Sequence, residues 1–419
     1  MSCENTLVYK IATISSEVHR MDELKYNLKE SLAELDKLFD LSAKEIDQTA
    51  CEALAEKARI FYEQYPESED IALRYANILF NFSINQTELK ELGATVEKLQ
   101  KLQQQFHDSH DIALPYARIL FNLSTEQTEL KELETTAEKL QVVQQHFPDS
   151  PDIAEALARI LVNLSVEQVN VEEIGKTVNS VKQIFEQFKQ SENIALQYSM
   201  ALVNLSAKQV NVDEIGETVN SIQQIFEQFK QPENIALQYS MALVNLSLEQ
   251  TNLDKLNDTA SKLKKIALSF EKNEDITLYY AEALAKIITK QQNEDEKLEI
   301  IDKLKRLHDR FVQSEEITVQ YLTARMDLVK NNQIDKSNLL NDIYQSLESI
   351  PSIKILNMLI EILENEEQFK QDQVQISTTN IVKALDKLCF DSSIEEGKDE
   401  KEKNLLIRTL KLGIISNTK

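Results

Sequence analysis

Residues 233–247 read ENIALQYSMALVNLS, and residues 192–206 carry the same fifteen letters one 41-residue step earlier. The match extends beyond them, since 168–206 equals 209–247 at all but five positions. Working outward, the isoleucine of this segment recurs as Ile71, Ile112, Ile153, Ile194, Ile235, Ile276 and Ile317, each 41 residues from the last. A tyrosine follows four residues later (Tyr75, Tyr116, Tyr198, Tyr239, Tyr280, Tyr321), with Leu157 in the third unit. A leucine stands at plus eight in the first six units, from Leu79 to Leu284, and an aromatic at plus 35 runs from Phe106 to Phe311. An unbroken period of this length marks a repeat array in which each unit contacts mainly its neighbours.

Five Gly and six Pro in 419 residues leave little material for hairpins, while Leu, Glu, Lys, Gln and Ala abound, so the expected class is all-α. With 42% apolar and 28% charged residues, the chain can bury a continuous core. It has no apolar run of the ~20 residues that span a bilayer. Met1 to Arg20 shows no signal-peptide pattern, and Cys3, Cys51 and Cys389 are odd in number and far apart. A soluble, cytoplasmic protein with reduced thiols is the expectation, with no membrane contact.

The residue before each isoleucine (Asp70, Asp111, Asp152, Asn193, Asn234, Asp275, Glu316) is mostly of helix N-cap type, so helix A is expected to begin there and to run to the Asn-Leu-Ser segment. Helix B is expected from near Leu89 to Phe106 in the first unit, its face built by Leu92, Val96, Leu99 and Leu102. Each unit is thus an antiparallel helix pair, and the predicted fold is a right-handed α-solenoid. Gly93, Gly175 and Gly216 share one position on helix B, where the lack of a side chain suits close helix packing.

Projecting 235–247 around a helix puts Ala236, Tyr239, Ala242, Leu243 and Leu246 on a broad packed arc and leaves Gln238, Met241 and Asn245 on a narrow stripe. In a solenoid such a stripe lines the concave groove. Asparagine holds its plus-ten position in five consecutive units as Asn81, Asn122, Asn163, Asn204 and Asn245. An amide both donates and accepts, so this ladder could hold the backbone of an extended peptide. Five contacts at about 0.5–1.5 kcal/mol would give millimolar to roughly 10 micromolar binding. Alternatively each asparagine, with the serine two residues on, only satisfies the last backbone groups of helix A. The variable stripe positions are Arg74, Arg118 and Arg159, then Gln197 and Met200, Gln238 and Met241, and finally Glu282 and Asp327. They read as a basic end and an apolar middle that could take an acidic group and an apolar side chain, or as ordinary solvated side chains.

A formal net charge of −24 argues against nucleic acid, which would need a basic stripe along the array. No nucleophile with a placed His, phosphate-binding glycine loop or paired Cys ligands appear, so neither catalysis nor a cofactor nor a metal is expected. The Asn-Phe-Ser and Asn-Leu-Ser triplets match a glycosylation sequon but sit at packed helix ends, and His107 and His110 read as a solvated loop.

The ends differ from the middle. Leu38, Phe39, Leu41, Ser42 and Tyr65 fit the register of a degenerate unit before the seven, giving a solenoid over 30–350 after a capping helix at 1–29. Residues 351–419 are expected to hold divergent helices and a cap: helices at 353–364 and 374–390, a charged loop at 391–403, and an amphipathic helix at 405–415 that could support homo-oligomers. Small residues in helix A (Ala76, Ala242) and an aromatic closing helix B before Pro (Tyr65-Pro66, Phe147-Pro148) resemble tetratricopeptide-repeat proteins. That family has a period of about 34, and HEAT and armadillo repeats come nearer to 41. The resemblance implies a scaffold that binds a protein or peptide segment in the groove. The alternative is a sensor subunit that controls a separately encoded effector enzyme.

Overall fold

A computed structural model of the chain describes residues 27–44, 47–86, 88–330, 336–350 and 352–364. The expected helices at 374–390 and 405–415, the loop at 391–403 and nearly all of the N-terminal cap lie outside the described residues. Among the described residues the structure is all-α. It parts into two compact units, Met1–Gln209 and Val210–Lys419.

In the first unit α1 (Leu28–Ser42), α3 (Glu69–Ser83), α5 (His110–Glu126), α7 (Pro151–Glu167) and α9 (Glu192–Ser206) are the A helices. The B helices are α2 (Gln48–Gln64), α4 (Leu89–Gln105), α6 (Leu130–His146) and α8 (Val171–Gln187). Each A helix packs on the next A helix, and each B helix fills the seam between the A helices that flank it, which makes a solenoid wall two helices thick. The second unit repeats the plan with α10 (Val212–Gln228), α11 (Glu233–Glu249), α12 (Leu253–Ser269), α13 (Glu274–Lys290), α14 (Glu294–Arg310), α15 (Glu315–Lys330), α16 (Lys336–Ser349) and α17 (Ile353–Glu364). Helix starts keep a 41-residue step through α15; α16 and α17 fall out of phase, as the decaying register after Phe311 predicts.

The core is the repeated arc of helix A. All seven period isoleucines are fully buried, and Leu157 and the six tyrosines at plus four are nearly so. Burying one such side chain stabilises the fold by about 1.5–3 kcal/mol, so Ile194→Ala, which also leaves a cavity, should cost about 2–5 kcal/mol.

Helix A starts two residues earlier than expected. The N-cap is Ser68, Ser109, Ser150, Ser191 or Asn273, three residues before the isoleucine, and Ser150, Ser191 and Asn273 accept the amide of Ile153, Ile194 and Ile276. Asp70 and its counterparts sit inside the first turn, where a carboxylate faces the positive end of the helix dipole.

The phenylalanine at plus 35 is the residue that ends helix B, and its carbonyl accepts the amide of the next N-cap residue, as in Ser191 to Phe188 at 2.9 Å. Pro232 replaces that serine in the near-identical copy and has no N–H to give. There the chain instead passes through two left-handed residues, Lys230 (φ 61°) and Gln231 (φ 64°), and the Gln231 amide bonds Phe226 O at 2.8 Å.

Glutamines after helix A fasten the start of helix B: Thr136, Thr177 and Thr259 donate to Gln127, Gln168 and Gln250 at 2.9–3.0 Å. The recurrent glycines are not explained by close packing. A Cβ built on Gly93, Gly175 or Gly216 meets nothing within 4 Å.

Candidate functional site

Each unit carries a groove along its A helices. The first-unit groove, of about 400 Å³, is built from α3, α5 and α7 with the start of α9. Arg118 lies over the Phe80 ring at 5.9 Å and Arg159 over Phe121 at 5.2 Å, so each guanidinium rests on an aromatic from the preceding repeat. Glu155 binds Arg159 at 2.6 Å and accepts from Asn193 at 3.0 Å. Arg74 is likewise engaged, by Asp36 at 2.6 Å and the Asp70 carbonyl at 3.0 Å. The basic end is therefore largely neutralised by the array's own carboxylates. Arg118 is exposed and has no ion pair with the described residues.

The plus-ten asparagines divide. Asn81, Asn163 and Asn204 donate their side-chain N–H to Ser42, Ser124 and Ser165 of the preceding A helix at 2.9, 3.0 and 2.8 Å. Each of these serines in turn donates to a carbonyl three residues back, at 2.7–2.8 Å. These amides thus tie one repeat to the one before within the first unit, a role distinct from capping their own helix. Asn122 makes no such bond with the described residues and lines the first-unit groove, and Asn245 is half-buried on α11. Of the remaining stripe residues Gln197 is buried, at 8% exposure, while Met200 on α9 and Gln238 and Met241 on α11 are half-buried.

The second-unit groove, of about 640 Å³, runs over α11, α13, α15 and α17. Val244, Leu248, Ile288, Met326 and Met358 make its walls largely apolar, and Gln238 and Met241 are not among its lining residues. Glu282 and Asp327, both on the predicted stripe, come together in it. Asp327 holds Lys297 of α14 at 3.4 Å. Glu282 has no hydrogen bond or ion pair with the described residues, and burial raises its carboxyl above the ordinary carboxylate value. A half-buried carboxylate without a partner is an unfavourable arrangement that a bound cation or donor relieves.

Two further clusters are polar seams. His146 reaches Asp108 at 3.1 Å and His110 meets Ser150 at 2.8 Å, joining the loop before α5 to the one before α7. Among the described residues no group of three or more His, Cys, Asp and Glu is placed to hold a metal ion. Cys51 is buried, while Cys3 and Cys389 lie outside the described residues. No described helix is long and apolar enough to cross a membrane.

No family model matches the chain, and no curated protein matches it. Among solved structures it is similar, at 13% identity and a TM-score of 0.40, to a chain from work on a phosphorylation switch in the interaction between cadherin and β-catenin. That match covers 93% of this chain and 96% of the other. A second similarity, at 11% identity and a TM-score of 0.10, is to a computationally designed self-assembling cyclic homo-oligomer, and it covers 85% of this chain and 99% of that one.

Proposed function

We propose that this chain is a non-catalytic interaction scaffold that holds partner segments against the open faces of its A helices, with one groove in each unit. The observation that carries this reading is the second-unit groove, whose apolar walls and unpartnered Glu282 form a surface that the protein's own described residues leave incomplete. Concave, mostly apolar sites with a few convergent polar groups are where partners commonly bind. In the first unit Arg118 on Phe80 and the unbonded Asn122 amide offer a polar counterpart, with donors free to meet a peptide backbone.

The test places Thr323→Trp in the second groove and Arg118→Glu in the first, both at exposed positions, and follows partners co-purified from the native cell by mass spectrometry. Loss of a specific partner from either variant, at unchanged helicity, is the expected result. Retention of every partner by the double variant would refute the reading.

A further inference from the structure

We propose that the second-unit groove seats a partner segment of aliphatic residues carrying one lysine or arginine, whose cation meets Glu282; this rests on the reading that partner segments lie along the A helices. The groove's volume of about 640 Å³ admits several side chains, within the range of sites that enclose a ligand. Most of its lining surface is apolar, from side chains such as Val244, Leu248, Ile288, Met326 and Met358, and Leu248 is 55% exposed. Met326 and Met358 adapt to varied apolar shapes, which suits a short hydrophobic segment.

The charge pattern selects the polar member of that segment. Three carboxylates, Glu282, Asp327 and Glu361, line the groove against one ammonium, Lys286. Lys286 stands one helical turn beyond Glu282 and forms no ion pair with it. Asp327 already holds Lys297 and Glu361 is engaged in an interaction of its own, so among the described residues Glu282 is the acid left to receive an incoming cation. A segment bearing phosphate or carboxylate would meet Glu282 as a like charge in a lining with more carboxylates than ammonium groups, which is unfavourable. An all-aliphatic segment would bury Glu282 further with nothing to satisfy it.

The test selects phage-displayed random dodecapeptides on the full chain and measures the affinity of one enriched synthetic peptide. Enriched sequences should carry a Lys or Arg among Leu, Ile, Val and Met. The chosen peptide should bind at least about tenfold more weakly to Thr323→Trp and to Glu282→Lys, and changing its cation to Glu should restore binding to Glu282→Lys. That rescue cannot come from a misfolded variant. Acidic binders, no enriched binder, or binders indifferent to both groove variants would overturn the proposal. Indifferent binders that Arg118→Glu abolishes would leave the scaffold reading standing and remove only this one. A synthetic peptide of residues 403–419, KNLLIRTLKLGIISNTK, carries four cations, no acid and seven aliphatic residues. If it displaces every selected peptide from this groove at lower concentration, the occupant is the chain itself and the partner proposal fails.

Discussion

The tie between neighbouring repeats predicts a measurable coupling between Asn163 and Ser124. Asn163 donates to Ser124 at 3.0 Å, and Ser124, only 2% exposed, donates its own hydrogen bond to the Phe121 carbonyl at 2.7 Å. Removing the amide in Asn163→Ala leaves the serine hydroxyl still donating, so no buried donor is stranded. The expected loss is that of one ordinary neutral hydrogen bond, about 0.5–1.5 kcal/mol. For a unit of this size that is a fall in Tm of about 2–4 °C per kcal/mol. Ser124→Ala removes the same bond and the back-bond to Phe121 together. The double variant should therefore lose less than the sum of the single losses, with a coupling energy of about 0.5–1.5 kcal/mol. Urea denaturation followed by far-UV circular dichroism measures all four corners of the cycle, and an unchanged m-value shows that the same transition is compared. Asn122→Ala, at the same repeat position without the bond, should stay within about 0.5 kcal/mol of the parent. A coupling energy indistinguishable from zero, or an Asn122 loss as large as that of Asn163, would refute the tie between repeats.

Other expectations follow from packing and charge. Replacing Gly93, Gly175 and Gly216 by Ala should stabilise the chain by about 0.5–1 kcal/mol per site, because each new methyl enters open space on a helix; a lower urea midpoint would show that the glycines serve packing after all. The phenols of Tyr116 and Tyr239 are pushed up to about 12 by burial. The unfolded chain ionises near 10, so the stabilisation they give is intact below that pH and is lost as pH rises through about 12. The loss is at most about 2–3 kcal/mol each. Tyr116→Phe and Tyr239→Phe should flatten the fall in urea midpoint over this window. Asp342 on α16 pairs with Arg325 on α15 and accepts from Tyr321 at 3.0 Å, with Arg325 only 12% exposed. Asp342→Ala should cost about 3–5 kcal/mol by leaving that guanidinium without its counter-charge, held only by Tyr321, whose hydroxyl it meets at 3.0 Å, and should be read as early melting of the second unit.

The period made the wall of the array legible, because isoleucine, tyrosine and leucine at fixed offsets face the core whatever the surface does. The helix starts were misplaced by two residues because Asp70 and its counterparts are cap-type residues too; the serine two places earlier has the same chemistry and the correct geometry. Constancy at plus ten was visible in Asn81, Asn163 and Asn204, but their acceptors lie 39 residues back in the chain. A helical projection shows which way a side chain points and not what waits across the interface. The aromatic seats of Arg118 and Arg159 were also missed. The signal was present at plus nine, where Phe80 and Phe121 give way to Val162, Val203 and Val244, but that position reads as core in any single unit. Glu282 and Asp327 fell on the predicted stripe, yet only the packed α11, α13, α15 and α17 show that they share a groove.

Site-specific photo-crosslinking in the native cell tests most directly whether partners lie on the A helices. A benzophenone amino acid is placed at Thr323 in the second groove, at Arg118 in the first, and at Glu97 on the exposed side of α4, a B helix. Adducts to a discrete partner from Thr323 or Arg118, and none from Glu97, are predicted. A partner captured from Glu97 alone would place the interaction on the B-helix face and contradict the account.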